Sequence, residues 1–392
     1  MGRPLINEPV RVKTWRIEFW SSVEGHGCQQ ALIRALNADG WRATEVFTVS
    51  QEEYRSAKGW RQRLLVRLRT YLAYPLKVGA SFIERDRRLI AVVSSNTFFA
   101  PWLALTASRD RNPVVHWVLD MYPDVLVAAG VLRGRGLVVS LLRRLMSDTF
   151  DRSAANVFLG PRLLRYANEK FSNIPRSAVI CIGADEASFP KIAVEDGAPE
   201  VVDILYCGNL GHMHDVDTIS NAFLRGIPPG VRFAIRGNGP GFEKLRRAMG
   251  EMKGSSGVSF GPNMVESEWA FELRRCPVAL VTLKAGAEHL VMPSKTYSAL
   301  LAGQAILAVC AADSDLADLV NTNDLGWTIE PGDEDGFQKV LLSIAENPEE
   351  VALKRRNAAA VGRKAYEQGV LVKQWSSLLS EVVASRESEV II

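Results

Sequence analysis

Twelve short apolar runs, separated by longer stretches with helical spacing, constrain this chain more than any other feature of its sequence. Six come first: Arg16–Trp20, Ala43–Val49, Leu89–Val93, Val114–Val118, Asn156–Leu159 and Ala178–Ile182. Six more follow: Val202–Tyr206, Arg232–Arg236, Gly257–Phe260, Val278–Thr282, Ala305–Val309 and Gly326–Ile329. Runs of this length and composition are those of parallel strands buried on both faces, and their alternation with helical stretches predicts doubly wound α/β sheets. Two series predict two successive Rossmann-like domains. The length agrees, because 392 residues exceed the roughly 250 to 300 at which a single core stops growing. Pro190, Gly197, Pro199 and several acidic residues fall between the two series, so the boundary is expected there. We expect domains over 1–189 and 201–362, a linker over 190–200 and a helical tail over 363–392.

Several function classes are disfavoured at this level. With 47 basic against 44 acidic residues the net charge is only +3, which argues against a general nucleic-acid binder. The five cysteines are scattered and form no C-x-x-C pair, so neither a disulfide framework nor a zinc site is indicated and a reducing cytoplasm fits best. The start, Met-Gly-Arg-Pro-Leu-Ile-Asn-Glu, has no apolar signal core, and the expectation is a protein that stays inside the cell. The longest uncharged run, Leu89–Ser108, contains Ser94, Ser95, Asn96, Thr97 and Pro101. It is read as a buried strand, a polar turn and a helix from about Phe98 rather than a membrane span.

Ligands of open α/β sheets bind at the carboxyl ends of the strands. Glycines follow three strands of the second series: Gly208-Asn209-Leu210-Gly211, Gly237-Asn238-Gly239-Pro240-Gly241 and Gly261-Pro262-Asn263. Any one of these could be an ordinary strand-to-helix turn. Three in register suggest a crevice whose backbone amides face a diphosphate or a base. Arg236, at a strand end beside such a turn, could grip phosphate in bidentate fashion or simply be solvated. Pro293 and Ser294 look like a helix start with Ser294 as the cap. Lys295 in the first turn then opposes the dipole preference unless an anion is near, so a phosphate or sugar role is weighed against plain exposure. In the first half, Asp120 follows an apolar strand and should point into the cleft, where it is the first choice for acid–base or electrostatic work. His116, four residues earlier, would share its face if the segment is a strand, although a core histidine is the plainer reading.

The segments Leu205-Tyr-Cys-Gly-Asn-Leu-Gly, Phe233-Ala-Ile-Arg-Gly-Asn-Gly-Pro, Val258-Ser-Phe-Gly-Pro and Met292-Pro-Ser-Lys-Thr-Tyr-Ser-Ala-Leu-Leu-Ala-Gly-Gln-Ala-Ile carry a resemblance in their order and spacing. Together they resemble the donor half of GT-B glycosyltransferases, in particular bacterial envelope-polysaccharide enzymes related to the retaining glycosyltransferase family 4. Ile182-Gly-Ala-Asp185 to Phe189 is similar to that family's interdomain signature, and Trp117-Val-Leu-Asp120-Met-Tyr-Pro123-Asp124 to its segment on the acceptor side of the cleft. The resemblance implies an acceptor-binding first half, a nucleotide-sugar-binding second half and a last helix that crosses back onto the first domain. It implies donor contacts from Gly208, Asn209, His214, Arg236, Gly237, Gly239, Pro262, Ser294, Lys295, Thr296 and Ser298, and a cleft-facing loop at Gly25-His26-Gly27. It also implies transfer with retention, from a nucleoside-diphosphate sugar to a lipid-linked or growing saccharide, with no cofactor.

The chain departs from the family at two places. The paired glutamates that precede the alanine-glycine of relatives match Leu290 and Ser298 here, leaving Glu288 nearby as a residue that could meet the donor sugar. The lysine that follows the Gly-Asn-Leu-Gly turn in relatives matches His214. No metal cluster or loop D-x-D of the metal-dependent kind is seen, so metal-independent chemistry is expected. The departures motivate a second reading, a non-catalytic homologue that binds another glycosyltransferase. A dinucleotide oxidoreductase using Gly237-Asn-Gly-Pro-Gly lacks the third fingerprint glycine and the ribose-binding acid.

Two segments of the first half are basic and amphipathic. Residues 55–77 interleave Arg55, Lys58, Arg61, Arg63, Arg67, Arg69 and Lys77 with Trp60, Leu64, Leu65, Leu68, Tyr71 and Leu72; residues 131–146 place Arg133, Arg135, Arg143 and Arg144 among leucines and valines. They suit an anionic membrane surface, with helices packing on the sheet as the plain alternative. The expected location is peripheral, on the inner face of the cytoplasmic membrane.

Overall fold

A computed structural model describes residues 14–391 apart from 26, 58, 83–87, 98, 110, 135, 192–200 and 251–256. Among the described residues, the first half holds strands β1 (Arg16–Trp20), β2 (Arg42–Val46), β3 (Leu89–Ser94), β4 (Val114–Val118), β5 (Ala155–Phe158) and β6 (Ser177–Val179). The second holds β7 (Val202–Asn209), β8 (Val231–Asn238), β9 (Val258–Gly261), β10 (Val278–Thr282), β11 (Ala305–Val309) and β12 (Gly326–Ile329). Each of the twelve expected runs is a strand. All pair in parallel, in the orders β2-β1-β3-β4-β5-β6 and β12-β11-β10-β7-β8-β9. Strands β3, β4, β10 and β11 are buried at every position, which is why they read as Val/Ile/Leu/Ala-rich runs, interrupted by His116 and Trp117 in β4 and ending in Ser94 and Thr282 in β3 and β10.

The helices of the first half are α1 (Gly27–Ala38), α2 (Gln51–Ser56), α3 (Gly59–Leu68), α4 (Tyr74–Ser81), α5 (Ala100–Ser108), α6 (Asp124–Ala128), α7 (Leu137–Arg152) and α8 (Pro161–Phe171). A π turn, Arg69–Ala73, joins α3 to α4. Those of the second half are α9 (Asp217–Leu224), α10 (Pro240–Gly250), α11 (Glu266–Arg275), α12 (Lys295–Leu301), α13 (Asp315–Thr322), α14 (Glu334–Glu346), α15 (Pro348–Ala365) and α16 (Gln368–Ile391).

The order of strands locates the crevices. In the second sheet the chain runs β9-β8-β7 in one direction and β10-β11-β12 in the other, so the winding reverses between β7 and β10. In the first sheet it reverses between β1 and β3. At such a switch point the loops after the two central strands diverge to opposite faces and leave a gap at their carboxyl ends.

Helix α16 lies on the first sheet rather than on the second, from which the chain has just come. Trp375, 1% exposed, packs edge-on against Phe19 and Trp117 at centroid distances of 5.8 and 5.6 Å, and Leu371, Leu379 and Val383 complete that core. The segment after β6 anchors the crossing. Gln368 N and Gly369 N donate to the two oxygens of Glu186 at 3.0 and 3.2 Å, Gln368 Nε2 donates to the Ile182 carbonyl at 2.9 Å, and Ala184 N to the Tyr366 carbonyl at 3.1 Å. Gly183 is required there: at φ +62° any Cβ would stand 2.3 Å from Leu371 and 2.7 Å from the Tyr366 carbonyl. Replacing Trp375 with alanine should therefore cost about 3 to 5 kcal/mol, the usual range for emptying a large aromatic site. In urea melts the variant should also expose the first sheet at lower denaturant than the second.

A second tie joins the halves. Arg162, at the start of α8, donates through Nε and Nη2 to both oxygens of Asp318 on α13 at 2.7 and 3.0 Å, and its backbone N donates to Asp315 at 3.2 Å. The two sheets thus approach with their carboxyl strand ends across a common cleft.

Candidate active site

At the second switch point the loop after β7 is stitched to the end of β10. His214 Nδ1 donates to the Thr282 carbonyl at 2.7 Å, Asp215 N donates to Thr282 Oγ1 at 3.0 Å, and Lys284 N donates to the Met213 carbonyl at 3.0 Å. Burial, and then the charge of Lys295, hold the His214 imidazole down to about 3. His214 is therefore neutral at physiological pH. At the place where relatives carry a lysine, its ring is thus an uncharged spacer between two loops, committed to a backbone carbonyl.

The cation of this site is Lys295. Its Nζ donates to the Tyr206 hydroxyl at 2.6 Å and sits 4.0 Å from the centroid of the same ring, while that hydroxyl donates to the Asn209 carbonyl at 2.9 Å. Among the described residues Lys295 has no acidic partner in an ion pair, and burial lowers its ammonium to about 7. A Cβ placed on Gly208 would have Lys295 Nζ as its nearest neighbour, at 3.9 Å, so the glycine leaves open space beside the ammonium. Arg236 joins the group from the next strand, donating to the Ser259 carbonyl at 3.2 Å. Both Lys295 and Arg236 are close enough to Cys207 to act against the burial that pushes its thiol up to about 11. Two cations, the partly buried Gly208 backbone and a neutral ring thus meet at the carboxyl ends of β7 and β8, an arrangement suited to an anion.

The glycines divide into two kinds. Gly208, at φ +126°, and Gly239, at φ +105°, hold conformations that other residues resist. Gly237 is demanded by packing instead, since a Cβ there would lie 2.1 Å from the Gly208 carbonyl across the β7–β8 pair. It is a structural residue of the crevice wall. Pro262, just beyond β9, is exposed. Ser294 adopts helical φ and ψ and its side chain makes no capping bond, so the expected cap at Ser294 is corrected; Ser298 is partly exposed on α12 and Thr296 is fully buried. Glu288 accepts from Gly286 N at 2.6 Å within its own turn.

The opposite wall carries Asp120. It lies just past β4, its backbone held by Ser95, whose Oγ accepts from Leu119 N and Asp120 N at 3.0 and 3.1 Å and donates to the Asp120 carbonyl at 3.2 Å. Met121 N donates across the cleft to the Leu290 carbonyl at 3.1 Å, and Lys284 Nζ donates to the Ala128 carbonyl at 2.6 Å. The carboxyl is partly exposed, and burial of its surroundings raises it to about 6. His116 does not share this position. Strand β4 ends at Val118, and His116 within it is completely buried against Phe150, with burial lowering its imidazole to about 3. The expected catalytic pair is thereby reduced to Asp120. Gly25 N donates to the Glu45 carboxylate, which also accepts from Gln29 Nε2 at 3.0 Å, so the loop before α1 is pinned; Gly27 opens α1, and His26 lies outside the described residues. No cluster of three metal-ligating side chains occurs among the described residues.

Sequence reasoning missed Tyr206, Thr282 and Lys284. The strand alternation that places Tyr206 and Gly208 on one face was the available signal for the first of them.

No protein-family model matches the chain. It is 27% identical over 314 residues, 76% of this chain and 77% of the relative, to a protein of Pseudomonas aeruginosa named as a glycosyltransferase, WbjE. It is 26% identical over 246 residues, 60% of each, to one of Escherichia coli named for glycosyl transfer in colanic acid biosynthesis, WcaI. Among solved structures it superimposes on Anabaena HepE in complex with UDP and glucose with a TM-score of 0.70, at 14% identity over 93% of this chain and 99% of that one. For the sucrose-phosphate synthase of Thermosynechococcus elongatus the TM-score is 0.72, at 14% identity over 95% and 100%.

Proposed function

We propose that this chain, a GT-B glycosyltransferase, moves a sugar from a nucleoside diphosphate to a lipid-linked or growing saccharide in envelope or exopolysaccharide synthesis. The observation that carries the donor half of this reading is Lys295, a held cation without an acidic partner among the described residues, beside the open Gly208 backbone at the switch point. The diphosphate lies between Lys295, Arg236 and the glycine turns, where fixed positive charge stabilises the leaving group as the glycosidic bond breaks. Asp120, across the cleft, faces the acceptor and as a carboxylate takes or stabilises the proton of its hydroxyl. Ser298 meets the ribose side of the donor. A solved structure of the same fold with UDP and glucose in place, and a relative named for glycosyl transfer in colanic acid biosynthesis, support this assignment. Transfer keeps the configuration of the donor sugar, as in the family it resembles. Incubation of the protein with radiolabelled nucleoside-diphosphate sugars and bacterial membrane lipid tests it: label should move to the lipid fraction with one donor, and release of no nucleoside diphosphate from any donor would remove the reading.

The acceptor is presented at a membrane surface. Among the described residues no helix is long and apolar enough to cross a membrane. Helices α3 and α4 and the π turn between them instead leave Trp60 71%, Leu65 60%, Leu72 59% and Leu76 72% exposed, and α7 leaves Leu137 91% and Leu141 58% exposed. Arg61, Arg63, Arg67 and Arg144 are exposed among them. Not every basic residue of these segments is available: Arg69 is paired with Glu53, Lys77 donates to the Phe47 carbonyl at 2.9 Å, and Arg143 is paired with the buried Asp124. Arg55, Lys58 and Arg135 fall where side chains are not described. With about 1 kcal/mol per cation near an anionic surface, changing Arg61, Arg63 and Arg67 to glutamine should weaken co-sedimentation with phosphatidylglycerol vesicles roughly 100-fold. Equal binding of both proteins would overturn the surface role.

A further inference from the structure

The donor reading leaves one buried side chain unused. Tyr206 is 1% exposed and lies on β7 two residues before Gly208, inside the Leu205–Gly211 segment but outside the glycine turn to which that segment's donor contacts are assigned. We propose that Tyr206 is a positioning residue that presents Lys295 to the donor diphosphate and keeps it there as a chargeable, uncompensated cation. The inference rests on the donor reading of Lys295 and goes beyond it in naming what holds the lysine.

The Tyr206 hydroxyl has one proton to give, and gives it to the Asn209 carbonyl at 2.9 Å. Its lone pairs are then aimed at Lys295, whose Nζ donates at 2.6 Å. Burial pushes the phenol well above its usual range, so this polarity of donor and acceptor holds throughout the neutral range. The ring adds a second restraint, with Nζ 4.0 Å from its centroid, within the distance at which an aromatic face attracts an ammonium. The ring is itself wedged edge-on against His214 at 6.0 Å, and His214 is tied to the end of β10 through Thr282. A chain of contacts therefore runs from the β10 terminus through His214 and Tyr206 to Lys295.

Other lysines of this chain are held by carboxylates or backbone carbonyls, as Lys354 is by Asp324 and Lys284 by the Ala128 carbonyl. Lys295 is half-buried and takes neither: a neutral hydroxyl and a ring face orient it without cancelling its charge, and the open side of Gly208 lies beside it. The titratable groups that face it are the Cys207 thiol, the neutral His214 and, one strand on, Arg236. None supplies a negative charge near pH 7, so the anion has to come from the ligand. Arrival of a diphosphate restores the proton to Lys295, and Tyr206 ensures that the proton returns to an amine already in place.

The test compares wild type, Tyr206→Phe, Lys295→Met and the double variant by calorimetric titration with UDP and GDP from pH 6 to 9. Tyr206→Phe keeps the ring and removes only the hydroxyl. It should weaken binding about tenfold at pH 7 and move the pH above which affinity declines downward, because the ammonium has lost its acceptor. In the Lys295→Met background the same change should cost almost nothing further. In the wild-type protein without ligand, the Tyr206 Cζ resonance should titrate with the midpoint of the Lys295 amine, a signature that needs no variant to fold. An unchanged affinity and midpoint in Tyr206→Phe, an equal loss in both backgrounds, or a Tyr206 resonance indifferent to Lys295 would each overturn the positioning role while leaving the donor reading intact. If wild type bound neither nucleotide, the donor reading would fall and this inference with it.

Discussion

Substitution of Lys295 by methionine should weaken nucleoside-diphosphate binding roughly 100-fold at pH 7, about 2.7 kcal/mol, while leaving the melting temperature unchanged or slightly raised. The size follows from the absence of a competing partner. Among the described residues no carboxylate pairs with Lys295, so its interaction with a bound diphosphate is not offset by an ion pair broken to make it. The pH dependence has a definite sign. Burial lowers the free ammonium to about 7, and a diphosphate restores it toward the ordinary lysine value. Below pH 7 the lysine is charged before and after binding and affinity is at its plateau. Above pH 7 each binding event must take up a proton, and affinity falls about tenfold per unit until the bound-state value is reached. In Lys295→Met that decline should vanish, leaving only the titration of the nucleotide itself. Calorimetry in buffers of different ionisation enthalpy reads the proton uptake directly.

The second large effect belongs to Asp120. Asparagine at this position should reduce turnover by roughly 10²- to 10⁴-fold, the span usual for loss of a positioned acid or base, with nucleotide affinity within about twofold of wild type. The backbone contacts that place the residue, to Ser95 and through Met121 to the Leu290 carbonyl, do not involve the carboxyl, so the substitution leaves the local fold in place. Burial raises the carboxyl to about 6. If the carboxylate is the working form, activity falls as pH drops through about 6 and is steady above it until Lys295 begins to lose its proton. The two residues together predict an activity optimum between about 6 and 7, bounded on the acid side by Asp120 and on the alkaline side by Lys295. Removal of either limb in the matching variant distinguishes this from a general effect of pH on stability.

The fold was legible because fully buried parallel strands leave little room for polar residues, so β3, β10 and β11 appear in the sequence as apolar runs polar at most in their last residue, and β4 as one broken only by His116. What escaped was the length of β7 and β8, which continue through Gly208-Asn209 and Gly237-Asn238. Glycine and asparagine read as turn, yet the close approach of the two backbones, which excludes a Cβ at Gly237, makes them strand. The same limit applied to the site. Lys295 was visible from its place after a proline and a serine, but its partner Tyr206 stands 89 positions away, and pairing between such distant residues depends on the switch point that joins β7 to β10. His116 failed for a local reason: strand alternation relates it to Asp120 only if the strand extends that far, and β4 ends two residues short. His214 was identified by position, and the carbonyl of Thr282 that fixes its tautomer lies 68 residues on.

On the proposed function, the carboxyl ends of β7 and β8, with Lys295 beside them, bind the diphosphate of an activated sugar. Isothermal titration of the intact chain with UDP, GDP, dTDP and ADP tests it most directly. One of the four should bind with a stoichiometry of about one and a dissociation constant at or below the submillimolar range, with affinity that declines above pH 7 in wild type and not in Lys295→Met. Heats no larger than dilution for all four at millimolar concentration, with and without magnesium and membrane lipid, would contradict it.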